Sequence, residues 1–173
     1  MEKLLIVVDM QTDFVNGALG TREAEAIVPA VREKILAHEG PVIFTRDTHG
    51  ENYLQTQEGR FLPVPHCIRG TKGWEIILEL KDLSEKEGVI ILDKPSFGST
   101  VLAALVSEKR DSLESIELIG LCTDICVVSN ALLLKAALPE MPLFVDAACC
   151  AGVTPESHEA ALTTMKFCQI TIL

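Results

Sequence analysis

Three side chains of the kinds that do nucleophilic chemistry stand out in this chain: Cys126, Lys94 and Asp9. Cys126 closes the run Ile116-Glu117-Leu118-Ile119-Gly120-Leu121-Cys122-Thr123-Asp124-Ile125-Cys126-Val127, which reads from strand through turn to helix. With Thr123 as N-cap, Cys126 falls at the third helical position. A thiol there faces the positive end of the helix dipole and unpaired N–H groups, and both favour thiolate. Lys94, at the end of another apolar run, would lower the thiol pKa further. Asp9, at the end of a third, could accept and return a proton. First-turn amides could stabilise an oxyanion. Against this stands the tendency of any free cysteine to be buried as a small apolar residue. Cys122 and Cys126, four apart, could suggest a metal site, but no second Cys/His pair follows at zinc-finger spacing. Cys67, Cys149, Cys150 and Cys168 read as packing residues.

A second group has the chemistry of a metal site. Asp47 and His49 stand two apart in an extended segment, so their side chains share a side and can converge on one ion. His66 follows in Leu62-Pro63-Val64-Pro65-His66-Cys67, where two prolines stiffen the approach, and Glu58 lies between. Two imidazoles with one or two carboxylates suit Zn²⁺, Mn²⁺ or Fe²⁺. The plainer alternative is a pair of solvated loop histidines. His38 reads as a helix-terminal residue, and His158 as an exposed one in the last helix.

The elements that must position these groups are short apolar runs: Leu4–Val8, Val42–Thr45, Val89–Leu92, Ile116–Ile119, Leu143–Val145 and Cys168–Ile172. Nearly continuous apolarity is how strands buried on both faces of a parallel sheet read. Helical spacing fills most intervals: from Pro29, as first helical residue, to His38; Ser99 to Glu108; Thr123 to Ala137; and Pro155 to Phe167. Alternating strand and helix predict a single three-layer α/β/α domain over residues 1–173, with a mostly parallel, Rossmann-like sheet of about six strands. Ligands in such sheets bind beyond the carboxyl ends of the strands, which directs attention to Asp9, Asp47, Lys94, Leu121–Cys126 and Asp146. Asp47 to about Gly73 lacks periodicity, and a loop that long is expected to be functional. The turn after the first strand carries no Gly-x-Gly-x-x-Gly, so no nucleotide cofactor is expected.

Composition narrows the partners. The 173 residues carry 15 Lys+Arg against 25 Asp+Glu, a net charge of −10, whereas nucleic acid or an anionic membrane surface would require a basic footprint. With 48% hydrophobic residues the chain can build a substantial core. The opening Met-Glu-Lys-Leu-Leu-Ile-Val-Val-Asp has too short an apolar run for a secretory signal. The expectation is a cytoplasmic protein with reduced thiols.

Taken together, these residues resemble the isochorismatase-like cysteine hydrolases, and within them the nicotinamidases, also called pyrazinamidases. Asp9-Met10-Gln11-Thr12-Asp13-Phe14 is similar to the family's Asp-x-Gln-x-Asp-Phe, which supplies the catalytic Asp. Lys94 matches the catalytic Lys, and Gly120 to Val127 match the signature whose last Cys is the nucleophile. The resemblance implies a cis peptide at Leu121–Cys122 and an oxyanion hole made by the N–H groups of Cys122 and Cys126. It also implies that Asp47, His49 and His66 bind one divalent transition metal (Zn, Mn or Fe), with Glu58 in the place of a fourth ligand found in some members. Relatives that hydrolyse carbamoyl amides lack this metal loop. Many nicotinamidases place Trp or Phe before the Pro-rich His element; here one extra residue leaves Phe61 or Leu62 for that wall. Phe14 and Phe97 are candidate ring contacts, with core packing as the competing role. The implied activity is thioester-mediated hydrolysis of a small aromatic carboxamide, nicotinamide first, by a homo-oligomer. A metal-free hydrolase of another small amide or ester, and a non-enzymatic binding module, are the alternatives.

Overall fold

A computed structural model describes all residues, 1–173. Six parallel strands form one sheet in the order β3-β2-β1-β4-β5-β6: β1 Glu2–Val8, β2 Val42–Asp47, β3 Ile90–Lys94, β4 Leu113–Leu121, β5 Leu143–Ala151 and β6 Thr171–Ile172. The helices are α1 Thr12–Val15, α2 Arg22–Ala37, α3 Gln57–Phe61, α4 Leu78–Ser84, α5 Thr100–Glu108, α6 Val128–Ala137 and α7 Pro155–Phe167. The predicted architecture is the observed one.

The two-residue period of a strand divides the core into two layers. Leu4, Ile6 and Val8 of β1, with Ile116 and Leu118 of β4, pack with α5, α6 and α7 on one face. Leu5 and Val7, with Ile119 and Leu121, pack with α1, α2 and α4 on the other. Both faces of the central strands are therefore dry, which is why their sequences are apolar throughout.

Several elements differ from the sequence expectation. Helix α2 begins at Arg22, seven residues before Pro29, because Thr21 caps it by accepting the Ala24 N–H at 3.0 Å. Pro29 sits inside that helix rather than at its start. Helix α4, which has no side-chain cap, was not expected at all. Cys168 caps the end of α7 instead of opening a strand, and only Thr171–Ile172 pair with β5. Asp146 lies within β5 and not at its end; Lys34 of α2 reaches it at 2.8 Å and Glu117 at 2.6 Å. The long stretch after β2 is largely irregular, as expected, and carries three short helical turns, Tyr53–Gln55, α3 and Lys72–Trp74.

Gly120 is required where it stands. Its φ is +113°, and a Cβ there would lie 2.2 Å from the Val8 carbonyl oxygen. The missing side chain lets β4 close on the end of β1, immediately before the turn that carries Cys126.

Candidate active site

The carboxyl ends of β1 and β3 and the turn after β4 bring Asp9, Lys94 and Cys126 together. Lys94 Nζ lies 2.6 Å from Asp9 Oδ2 and donates to Cys126 Sγ at 3.5 Å. The Asp9 contact is a close ion pair, angled so that Oδ2 has no aligned hydrogen bond. Thr45 of β2 supplies one to the other oxygen, Oδ1, at 2.7 Å. Asp9 itself has a φ of 47°, the left-handed region that non-glycine residues rarely adopt outside functional positions.

Electrostatics at this cluster depart from the sequence expectation for the thiol. Complete burial pushes the Cys126 thiol well above its ordinary pKa, and the Asp9 charge pushes it the same way, outweighing Lys94. Cys126 therefore rests as a thiol, and a base must take its proton. Burial also raises the Asp9 carboxyl above the ordinary value, against the opposing effect of Lys94, which makes it a stronger base. For Lys94, burial alone would lower the pKa, but the charges of Asp9 and Asp47 raise it, so the ammonium is secure.

The turn after β4 also differs in detail. Cys122, not Thr123, occupies the N-cap position, and the first turn is π-type, with the Val127 N–H bonded to the Cys122 carbonyl at 3.0 Å. Cys126 is accordingly the fourth residue of that turn. Such turns widen the helix and recur at functional sites. The Leu121–Cys122 peptide is cis, and the Cys122 N–H donates to no backbone carbonyl. The Thr123 hydroxyl is turned to His158 Nδ1 at 2.7 Å, so His158 is half-buried and bonded rather than exposed.

Asp47, His49, Glu58 and His66 converge: one ligand atom from each lies within 4.8 Å of all the others. His49 Nε2 is 2.8 Å from Asp47 Oδ2 and 3.5 Å from Glu58 Oε1. His66 Nε2 is 3.5 Å from Asp47 Oδ2 and 3.6 Å from Glu58 Oε1. His66 Nδ1 donates to the Val64 carbonyl at 2.8 Å, which turns Nε2 toward the cluster. Asp47 Oδ1 is buried without a hydrogen-bond partner, with Lys94 Nζ 3.6 Å away. Burial would raise the Asp47 pKa, but bonds from His49 and His66 and the charge of Lys94 lower it, so it is firmly ionised. Two imidazoles and two carboxylates around an unsatisfied buried oxygen fit a divalent transition metal.

Several supporting residues were not singled out by sequence reasoning. Gln11 donates to the Asp47 and Trp74 carbonyls, each at 2.8 Å, and accepts the Asp47 N–H at 2.7 Å. Asp13 accepts the Cys67 N–H and packs so closely on Gly73 that a Cβ there would lie 2.1 Å from Oδ2. Both stand in the first-strand motif, whose polar residues at an otherwise apolar strand end are the available signal. Asn130, one turn after Cys126, bonds the carbonyls of Cys126 and Phe97 and the N–H of Ser99. A lone amide on an apolar helix face could have marked it.

A cavity of about 320 Å³ is lined by Cys122 and Cys126 together with Asp47, Glu58 and His66. Phe14 and Phe97 both line it, as do Leu19, Ile125 and Val153, which were not foreseen. Phe14 is buried with its ring 5.4 Å from that of His66. Leu62 lines the cavity, whereas Phe61 is turned outward.

Residues 3–173 match the isochorismatase domain. The chain belongs to the isochorismatase family. An uncharacterized isochorismatase family protein, PncA of Bacillus subtilis, is 32% identical over 145 residues, 76% of this chain and 77% of that protein. Nicotinamidase 1 of Arabidopsis thaliana is 32% identical over 143 residues, 71% of this chain and 56% of that one. Among solved structures, pyrazinamidase of Pyrococcus horikoshii in complex with zinc superposes with a TM-score of 0.84 at 30% identity, covering 100% of this chain and 99% of that chain. Within the isochorismatase family this chain is an enzyme, a hydrolase of nicotinamidase-like type.

Proposed function

We propose that the chain is a metal-dependent cysteine amidohydrolase that converts nicotinamide to nicotinate and ammonia. The observation that carries this reading is the single cavity lined both by the thiol of Cys126, which is backed by Lys94 and Asp9, and by Asp47, Glu58 and His66 of the His₂-dicarboxylate cluster. Its volume and apolar lining suit one small aromatic ring. A pyridine carboxamide has two polar ends, one for each cluster. Asp47, His49, Glu58 and His66 would hold the ion. When bound, it supplies Lewis acidity toward the ring nitrogen and so fixes how the substrate lies.

The residues of the chain perform the chemistry. Asp9 takes the proton from Cys126 Sγ, and the sulfur attacks the amide carbon as the carbonyl electron pair moves to oxygen. The N–H groups of Cys122 and Cys126 receive that oxyanion. As it collapses, the C–N bond breaks and Asp9 returns its proton to the nitrogen, which leaves as ammonia. A thioester remains on Cys126. Asp9, again a carboxylate, takes a proton from water while the oxygen attacks the thioester carbon. The C–S bond then breaks as Asp9 returns that proton to the sulfur, which restores the thiol and releases the acid. Lys94 holds Asp9 in place throughout and neutralises the charge that passes between carboxylate and sulfur.

The test is ammonia release from nicotinamide, pyrazinamide and benzamide, with the protein stripped by chelator and reloaded with Zn²⁺, Mn²⁺ or Fe²⁺. Turnover of both heterocycles that depends on metal, with benzamide much slower for want of a ring nitrogen, is expected. Inactivity on nicotinamide with every metal would sink the proposal. Metal-independent hydrolysis of benzamide or of an ester would favour the metal-free alternative.

A further inference from the structure

Beside the cavity lies an open groove of about 670 Å³, bordered by Gln57, Glu58, Phe61, Leu62, Ser96, Phe97 and Ile125. Glu58, Leu62, Phe97 and Ile125 border both spaces, so the groove continues the cavity outward past a common collar. Two aromatic rings stand along it with little cover: Phe97 is 42% exposed and Phe61 84%. Neither ring stacks on another aromatic side chain. Their contribution to the inner cavity is unequal, since Phe61 lies outside it and touches the groove alone.

The chemistry of the groove selects a kind of occupant. No lysine or arginine lines it, so an anionic group would enter without a counter-charge. Gln57 and Ser96 are its only uncharged polar members, and the rest of the wall apart from Glu58 is aliphatic or aromatic. Apolar atoms placed between Phe61 and Phe97 would leave water on both sides of the contact. Glu58 of the His/carboxylate cluster and Ile125, the residue before Cys126, both stand at the collar, so the groove opens along the flank of the cavity between its two polar ends.

We propose that this groove is a second subsite, which receives an uncharged apolar substituent carried on the ring of an aromatic carboxamide substrate. It rests on reading the inner cavity as the place where such an amide is cleaved. The chain would then accept nicotinamides substituted at the ring carbons remote from the carboxamide, positions five and six, and not only the bare ring.

The experiment compares nicotinamide with its 5-phenyl and 6-phenyl derivatives, using metal-loaded wild-type protein and the Phe61→Ser variant. Nicotinamide does not reach Phe61 and serves as the internal reference. At least one phenyl derivative should be hydrolysed with a kcat/KM equal to or above that of nicotinamide. In Phe61→Ser that value should fall about five- to tenfold while the value for nicotinamide holds. Calorimetric titration of the same compounds into Cys126→Ala protein reads binding without turnover. Phenyl compounds that neither react nor bind, or an equal loss for all substrates in Phe61→Ser, overturn the subsite and leave the amidase reading intact. So does a Phe61→Ser protein whose only change is a smaller oligomer by sedimentation, since the groove is then an interface between copies. Phe61-dependent binding of a phenyl compound without nicotinamide turnover retains the groove and removes nicotinamide as the parent substrate.

Discussion

The Asp13 carboxylate accepts the backbone N–H of Cys67 at 2.8 Å, tying the end of the first strand's motif to the residue after His66. Its other oxygen accepts the Ala18 N–H at 3.3 Å. Cys67 has a φ of 46°, so the chain is held at an unfavourable backbone angle at the point where Asp13 grips it. Asp13 thus sets the position of His66 without facing the cluster itself. Asp13→Ala should weaken metal binding by about 10- to 100-fold while kcat at saturating metal changes much less. Competition against a chromogenic chelator measures the first and ammonia release the second.

Members of the reacting cluster should separate by what each removes. Cys126→Ala should reduce ammonia release to background with little loss of stability. Asp9→Asn should lower kcat/KM by roughly 10²- to 10⁴-fold, the usual worth of a positioned general base. Lys94→Ala should do more than lower activity. It leaves the buried Asp9 and Asp47 without their shared cation, a loss of about 3–5 kcal/mol in stability. Denaturant melts of the three variants check the order: Lys94→Ala should be far the least stable.

The pH profile should report Asp9. Its pKa is raised by burial, so the acid limb of kcat/KM should lie above the pH expected for an ordinary aspartate, and activity should be lost as pH falls through it. The Thr45 hydroxyl bonds the charged form and lowers that pKa. Thr45→Val removes the bond, so the limb should move to higher pH. A limb that stays put or moves down would show that another group controls it.

Asn130→Leu should cost stability as well as activity. Its Oδ1 is the acceptor for the buried Ser99 N–H, and an orphaned donor of this kind costs about 1–3 kcal/mol. The same side chain spans from Cys126 to Phe97, so the variant should show a raised KM in addition to the lower melting temperature.

Much of this arrangement was legible in the sequence because it follows from strand ends. Val8 and Asp9 mark the change from buried strand to site, and Lys94 closes the third strand in the same way; an apolar run ending in a charged residue is easy to see. The convergence of Asp47 with His49 followed from a period of two. Features that depend on packing between distant segments were not legible. Pro29 looks like a first-turn residue seven positions after the true start of α2, and nothing local shows that Thr21 already caps the helix. Thr123 looks like a cap, but its hydroxyl is claimed by His158, thirty-five positions away. The thiol pKa is hidden for the same reason: helix position is local, whereas the burial that raises it comes from the whole fold.

Strand order has a consequence for how substrate preference can change. Strand β1 lies between β2 and β4, so Asp9 is flanked by the strand that leads to Asp47 and the strand that leads to Cys126. Neighbouring strands are about 4.8 Å apart, and the two outer ends are held roughly 10 Å from each other by backbone hydrogen bonds alone. The sheet acts as a fixed calliper. It sets the span between the two ends of any molecule that bridges them, whatever side chains line the gap. Evolution can reshape the jaws at Leu62, Phe97 or Val153, but resetting the span would mean rebuilding the sheet.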